Sequence, residues 1–379
     1  MKFDYIIRNG HVIDPFDGVD AVKDIGVINH RVYAANYGDS SLMPIIDASG
    51  HYVLPGLIDF HTHIYDVGSG LGIHPDYFLA TGVTSAVDAG TSGASNYEAF
   101  HQTKVVSSKC RIKAQINITS QGQFQLGFPE NYDPKYFRED LIGELIEKYS
   151  DEIIGIKMRL SKETVGDQGL EPFLKLLEIA DRLNMPVVIH TTNPAISVQT
   201  IAKHLRPGDI YCHCYQGEGM TIIGDRGNVL PEIKDARARG VLFDACNGTL
   251  NFAFNVAKAA LTEGFYPDII SSDTSRHSFA VPYYCKNLPF VMSKFLSLGM
   301  DLFSIVRAVT ETPAKLMGME GVIGTLREGA FADISILEKK PRKMFYNDKK
   351  EEFCGEEVLV NKFTMINGAV AFCSNDFWL

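Results

Sequence analysis

Residues 1 to 52 alternate short apolar runs with turn residues. In "DYIIRNGHVIDP" two apolar stretches flank Asn9-Gly10, and "DIGVINHRVYAA" repeats the pattern around Asn29-His30. Both read as strands joined by tight turns, with no helical period between them. From residue 53 the texture changes. Eight apolar runs of strand length follow, at 52–63, 84–90, 111–119, 153–160, 186–192, 209–215, 240–248 and 268–275. Segments of helix length separate several of them. The clearest, "PFLKLLEIADRLN" (172–184), has apolar residues at helical spacing and stops before Pro186. Near-continuous apolar strands alternating with helices predict a parallel sheet covered on both faces. Eight such units in about 220 residues predict a closed ring rather than an open doubly wound sheet.

A further helix is predicted over 301–318, after which strand-and-turn texture returns at 324–338 and 358–372. The expected fold is therefore α/β: a (β/α)₈ TIM-type barrel over 53–321, flanked by a small β-sandwich domain built from 1–52 and 322–379. The charged stretch 338–352 reads as a solvated loop.

Composition narrows the function classes. The chain has 379 residues, 45% of them hydrophobic, enough for a sizeable core. Net charge is −10 with Lys and Arg dispersed, which argues against a nucleic-acid surface. No apolar run reaches the ~18 residues that a membrane span needs, and "MKFDYIIRNG" lacks the pattern of a signal peptide. Seven cysteines without a repeating spacing predict free thiols in a cytoplasmic protein. No glycine-rich phosphate loop follows a strand. The expected partner is a small-molecule substrate, with neither nucleic acid nor membrane, and self-assembly stays open.

In a barrel of this kind chemistry sits at the C-terminal strand ends. The first predicted strand ends in His61 and His63, on one face by alternation. The fourth holds Lys157, whose charge would be costly to bury alone. His190, His213 and Asp273 come from the fifth, sixth and eighth. Each has an ordinary explanation singly; six polar groups at five strand ends, converging on one mouth, predict a metal site. Alternation turns Cys212 and Cys214 away from His213, so both read as packed thiols and no thiolate is expected to compete for metal.

"PGLIDFHTH", a strand lysine, two later histidines, "SSD" and the returning "REGAFADISIL" together resemble the metal-dependent amidohydrolase superfamily across nearly the whole chain. The resemblance implies two Zn²⁺ per chain. Their ligands would be His61, His63, His190, His213 and Asp273, with N6-carboxylated Lys157 as the bridge. It also implies Asp273 as the catalytic base and acid toward water activated between the metals. Within the superfamily the chain resembles the dihydroorotase-like branch, in a subgroup variously labelled dihydroorotase, adenine deaminase or deacetylase. A dihydroorotase would carry "DxHxHxR", whereas Ile64-Tyr65 follow His63 here.

Arg159 shares a face with Lys157 and is expected to clamp a substrate carboxylate, the alternative being an ion pair with a nearby acid. Arg276, His277 and Asn193 are further substrate-binding candidates, with Gln216 and Asn247 behind them. The expected reaction is hydrolysis of an acyl C–N or C–O bond in a small anionic substrate, an N-acyl amino acid or O-acetyl hydroxy acid. Adenine deamination, cyclic-amide hydrolysis and a non-catalytic barrel are the alternatives.

Overall fold

The computed structural model describes residues 3–35, 44–125, 127–249, 251–280, 285–348 and 350–377. At its centre seven parallel strands lie side by side in chain order: β1 (Leu57–Thr62), β2 (Val83–Gly93), β3 (Arg111–Asn117), β4 (Ile153–Arg159), β5 (Val187–His190), β6 (Ile210–Cys212) and β7 (Leu242–Asp244). The eighth predicted run is not a continuous strand, yet it closes the ring. Asp244 bridges Ile269 and Thr62 bridges Thr274, both in parallel. On one side Asn247 N donates to Ser271 O; on the other Asp273 N donates to His61 O and His63 N to Thr274 O. The segment stays irregular because Asp273 takes a left-handed φ of 54°, which interrupts an extended ladder.

Alternation sorts the apolar positions into two layers. Ile58, Val87, Val188, Ile210 and Ile269 turn into the barrel, where Met317 and Ile323 pack with them. Leu57, Ala86, Val187, Ile189 and Tyr211 face outward to the helices. The predicted helix over 172–184 spans Glu171–Arg182 and buries Phe173, Leu176 and Ile179; each such side chain contributes about 1.5–3 kcal/mol. The helix predicted over 301–318 is two, Leu302–Val309 and Glu311–Leu316. Pro313 lacks an N–H and its ring would clash with the carbonyl four residues back, so the chain breaks at Thr310.

The termini form two sheets. One has four strands in the order Arg31–Ala34, Ile25–Ile28, Tyr5–Arg8, Ile45–Asp47. The other has six, in the order Ala369–Cys373, Glu352–Ile366, Ile334–Asn347, Tyr52–Pro55, His11–Asp14, Val19–Val22. Ile7, Val27, Ile46, Val53, Ile336 and Phe363 share the core that these residues build. The turn at Asn29-His30 has φ of 47° and 68°, the two left-handed residues that a type I′ hairpin needs.

Two expectations change. The first predicted strand splits: Tyr52–Pro55 belongs to the terminal sheet, pairing with Ile334–Leu337, and the barrel begins only after Gly56. The stretch 338–352 is not a loop but the outer part of a long hairpin between Ile334–Asn347 and Glu352–Ile366. Its side chains are largely exposed, as their charge predicted, while its backbone is paired.

Candidate metal centre

The expected donors all reach the C-terminal end of the barrel. His61 and His63 end β1, Lys157 lies in β4, His190 ends β5, His213 follows β6, and Asp273 lies on the closing segment. His63 Nε2 is 3.2 Å and His61 Nε2 3.7 Å from Asp273 Oδ1. Atoms bound to one ion at roughly 2.0–2.2 Å take about such spacings. Lys157 Nζ is 3.4 Å from His61 Nε2. The His213 ring centroid lies 5.3 Å from that of His61 and 4.3 Å from that of His190.

Neighbouring groups aim these donors. His63 Nδ1 pairs with Thr91 Oγ1 at 2.9 Å, and His213 Nδ1 donates to Cys246 O at 2.8 Å, which leaves Nε2 for the site. Asn251 Nδ2 donates to Asp273 Oδ2 at 2.8 Å and is itself held by Thr192. Gly90, at φ 77°, gives Lys157 its space, since a Cβ there would lie 2.6 Å from the lysine's own. His213, Cys246 and Asp273 have φ of 59°, 35° and 54°, a conformation costing on the order of 1–3 kcal/mol per non-glycine residue.

Charge and burial fit a metal. Burial, reinforced by Lys157 and the neighbouring histidines, holds His61 well below the ordinary imidazole range. Burial does the same to His190 and brings His213 down to about 4. The rings are neutral, as ligands must be. Burial works to raise Asp273, but the hydrogen bond and charge of His63, with His213 and Lys157, hold it below the ordinary carboxylate range. Lys157 is 1% exposed. Among the described residues its polar neighbours are His61 Nε2 and Cys212 Sγ, the latter at 3.8 Å, with no carboxylate at ion-pair distance. An ammonium is poorly served there; an anion bridging two cations is well served.

The family model described as "Amidohydrolase family" matches residues 52–370. The chain belongs to the amidohydrolase family. That family is hydrolytic and metal-dependent, and the donor cluster at the barrel mouth accords with it. The chain is 32% identical over 295 residues to a deacetylase of Agrobacterium fabrum, across 77% of this chain and 72% of that protein. It is also similar to the crystal structure of a dihydroorotase, with TM-score 0.87 and 27% identity over 98% of this chain and 99% of that one. For the crystal structure of an adenine deaminase the values are 0.86 and 26%, over 98% and 100%.

Above the donors of this amidohydrolase opens a cavity of about 490 Å³. His63, His190 and Asp273 form part of its wall, together with Arg159, Asn193 and His277. Arg159 has the ion pair that was the alternative reading, Nη1 with Glu130 Oε1 at 2.6 Å, and the residue also lines the cavity. Tyr132 completes the support, donating to Glu130 Oε2 at 2.7 Å and accepting from Arg159 N at 2.9 Å. Arg276 is a correction: it is exposed, does not line the cavity, and its backbone N–H goes to Leu71 O. Gln216 and Asn247 do not line it either. Gln216 braces its own loop through Met220 O and Glu218 N, and Asn247 Oδ1 accepts from Lys294.

The cysteines are a second correction. The left-handed φ of His213 breaks the alternation, so Cys212 turns inward, 3.6 Å from His61 Nδ1, while Cys214 joins the outer layer. Asn251, Thr192, Glu163 and Glu218 also line the cavity. The polar run "NGTLN" just past β7 could have flagged Asn251; the two acids stand in loops with no distinguishing pattern. Ile64 and Tyr65, 0% and 4% exposed, pack in the outer core, so no arginine follows His63 into the site.

Proposed function

We propose that this amidohydrolase is a deacetylase of small anionic substrates, an N-acyl amino acid or an O-acetyl hydroxy acid. The observation that carries the reading is Arg159, two residues beyond Lys157 on one strand and in the same cavity as Asp273. Glu130 takes one of its N–H groups, and a guanidinium has four others with which to grip a carboxylate. The deacetylase relative supports the choice.

His61, His63, His190, His213, Asp273 and N6-carboxylated Lys157 would hold two Zn²⁺. These would polarise the acyl oxygen and lower the pKa of water between them. Asp273, kept ionised by His63, accepts the proton of the attacking water and passes it to the leaving nitrogen or oxygen as the acyl bond breaks. Asn251 aims that carboxylate. Glu130 and Tyr132 fix Arg159, so the guanidinium orients the substrate without first being ordered. Asn193 and His277 offer hydrogen bonds from the cavity wall. The seven free thiols support a cytoplasmic setting.

The test is incubation of zinc-reconstituted protein with acetylated amino and hydroxy acids, adenine and dihydroorotate. Acetate release is expected. Likeness to an adenine deaminase favours adenine as the second substrate; hypoxanthine without acetate would overturn the deacetylase reading. Purified protein that takes up no zinc would restore the non-catalytic barrel.

A further inference from the structure

The donor set above holds nitrogen and oxygen only, but a thiol lies beside it in the barrel interior. Cys246 lies two residues past β7, wholly buried, with Sγ 3.9 Å from His213 Nε2. The same residue's carbonyl accepts from His213 Nδ1, so the ring is clamped with its free nitrogen on the thiol side. One donor atom each from His61, His213 and Cys246 lies within 4.8 Å of the other two. His190, the expected companion of His213, joins no such cluster among the described residues.

The backbone adds an independent observation. Cys246 is held at φ 35°, with its N–H donated to Asp244 Oδ1 at 2.9 Å. Glycine would adopt that conformation without strain. His213 and Asp273, the other two donors beyond strand ends, share it. Cys212 differs in direction, because its sulfur meets Nδ1 of His61 rather than the Nε2 that faces Asp273 and Lys157.

We propose that Cys246 is a thiolate ligand at the metal position that His213 serves, so that this position is a mixed nitrogen–sulfur site selecting zinc or cadmium over manganese or magnesium. The inference rests on the metal-centre reading above. With Zn–S roughly 2.3 Å and Zn–N roughly 2.0 Å, tetrahedral ligands lie about 3.5 Å apart; a movement of a few tenths of an ångström brings Sγ and Nε2 to that spacing. On binding, the S–H bond breaks, its proton leaves to solvent, and the sulfur's electron pair forms the bond to the metal. Nothing is oxidised or reduced. Soft sulfur ligation then disfavours the hard ions.

The metal-free protein is titrated with Co²⁺ while absorption and bound cobalt are followed together. A thiolate-to-cobalt charge-transfer band in the near ultraviolet is expected, absent from Cys246→Ser and retained in Cys212→Ala. The same Cys246→Ser variant should lower the ratio of cadmium to manganese affinity at least tenfold. Cobalt bound without the band, or a band that survives Cys246→Ser, would overturn the thiolate and leave the metal centre standing. A chain that binds no cobalt would overturn both. Should Cys246→Ser not fold, cadmium NMR of the unaltered protein decides, since a sulfur ligand moves the resonance far downfield and an all-nitrogen-and-oxygen shell does not.

Discussion

Lys157 in the barrel interior and Lys294 in the outer helical layer are 1% and 0% exposed, but their surroundings differ in kind. Lys294, on the helix Leu288–Ser297, sits over the Phe252 ring at 4.0 Å and donates to Asn247 Oδ1. Burial still pushes it down to about 7. Among the described residues Lys157 has no aromatic face in its contacts and no oxygen acceptor, only an imidazole nitrogen and a thiol. The outer layer accommodates an amine as an amine. The interior gives Lys157 no carboxylate at ion-pair distance among the described residues and sets it among imidazoles that suit a metal, which is why the same side chain is structural in one place and a candidate bridge in the other.

Exchanging the two roles is the strongest way to break that contrast. Lys157→Ala should lose metal occupancy, read by elemental analysis, and with it all activity above background, while Lys294→Met keeps its metal. Full activity in Lys157→Ala would end the bridging role. Next in size, Asp273→Asn should lower kcat by roughly 10²–10⁴-fold, the range for a lost general base; a change in KM alone would make Asp273 a mere binding group. Arg159 sharpens the contrast from a third side, as a half-buried cation that does have a carboxylate partner. Arg159→Met should raise KM for an acetylated acid by roughly 10- to 150-fold, from about 1.5–3 kcal/mol of charged hydrogen bonding. A neutral ester should be hydrolysed nearly as before; equal losses on both substrates would remove the clamp.

The smallest effect is on stability. Lys294 has a folded pKa of about 7, below the ~10.4 of an unfolded chain, so the unfolded state binds more protons between those values. Stability therefore rises with pH across that window and is flat below it. Melting temperatures of the natural chain and Lys294→Met, compared from pH 6 to 10, should diverge in favour of the natural chain above about pH 7. Parallel curves would show that the buried amine titrates normally.

Lys157 was legible because a lysine amid "IIGIKMRL" contradicts its own strand. Lys294 was not, because a lysine in "LPFVMSKFLS" reads as an ordinary helix surface residue. Barrel strands announce themselves through apolar runs, but the hairpin across 338–352 is held by backbone hydrogen bonds that leave no mark on side-chain pattern. Alternation located His61 and His63 correctly at one site and misplaced Cys212, since it assumes an extended backbone and His213 is left-handed. The partner of Arg159, Glu130, lies 29 residues away in a loop, beyond any spacing rule.

The strand Tyr52–Pro55, whose Val53 and Leu54 are wholly buried, runs almost directly into β1 and pairs with Ile334–Leu337. Synthesis at roughly 5–20 residues per second separates those partners by roughly 15–60 s. For that interval the nascent chain carries an apolar strand with an open edge, beside the histidines of the candidate metal centre. Open apolar edges recruit other chains, so a product interrupted before residue 334 should aggregate rather than persist as a barrel. A strand made about 280 residues later is the one that covers the edge left open at Tyr52–Pro55.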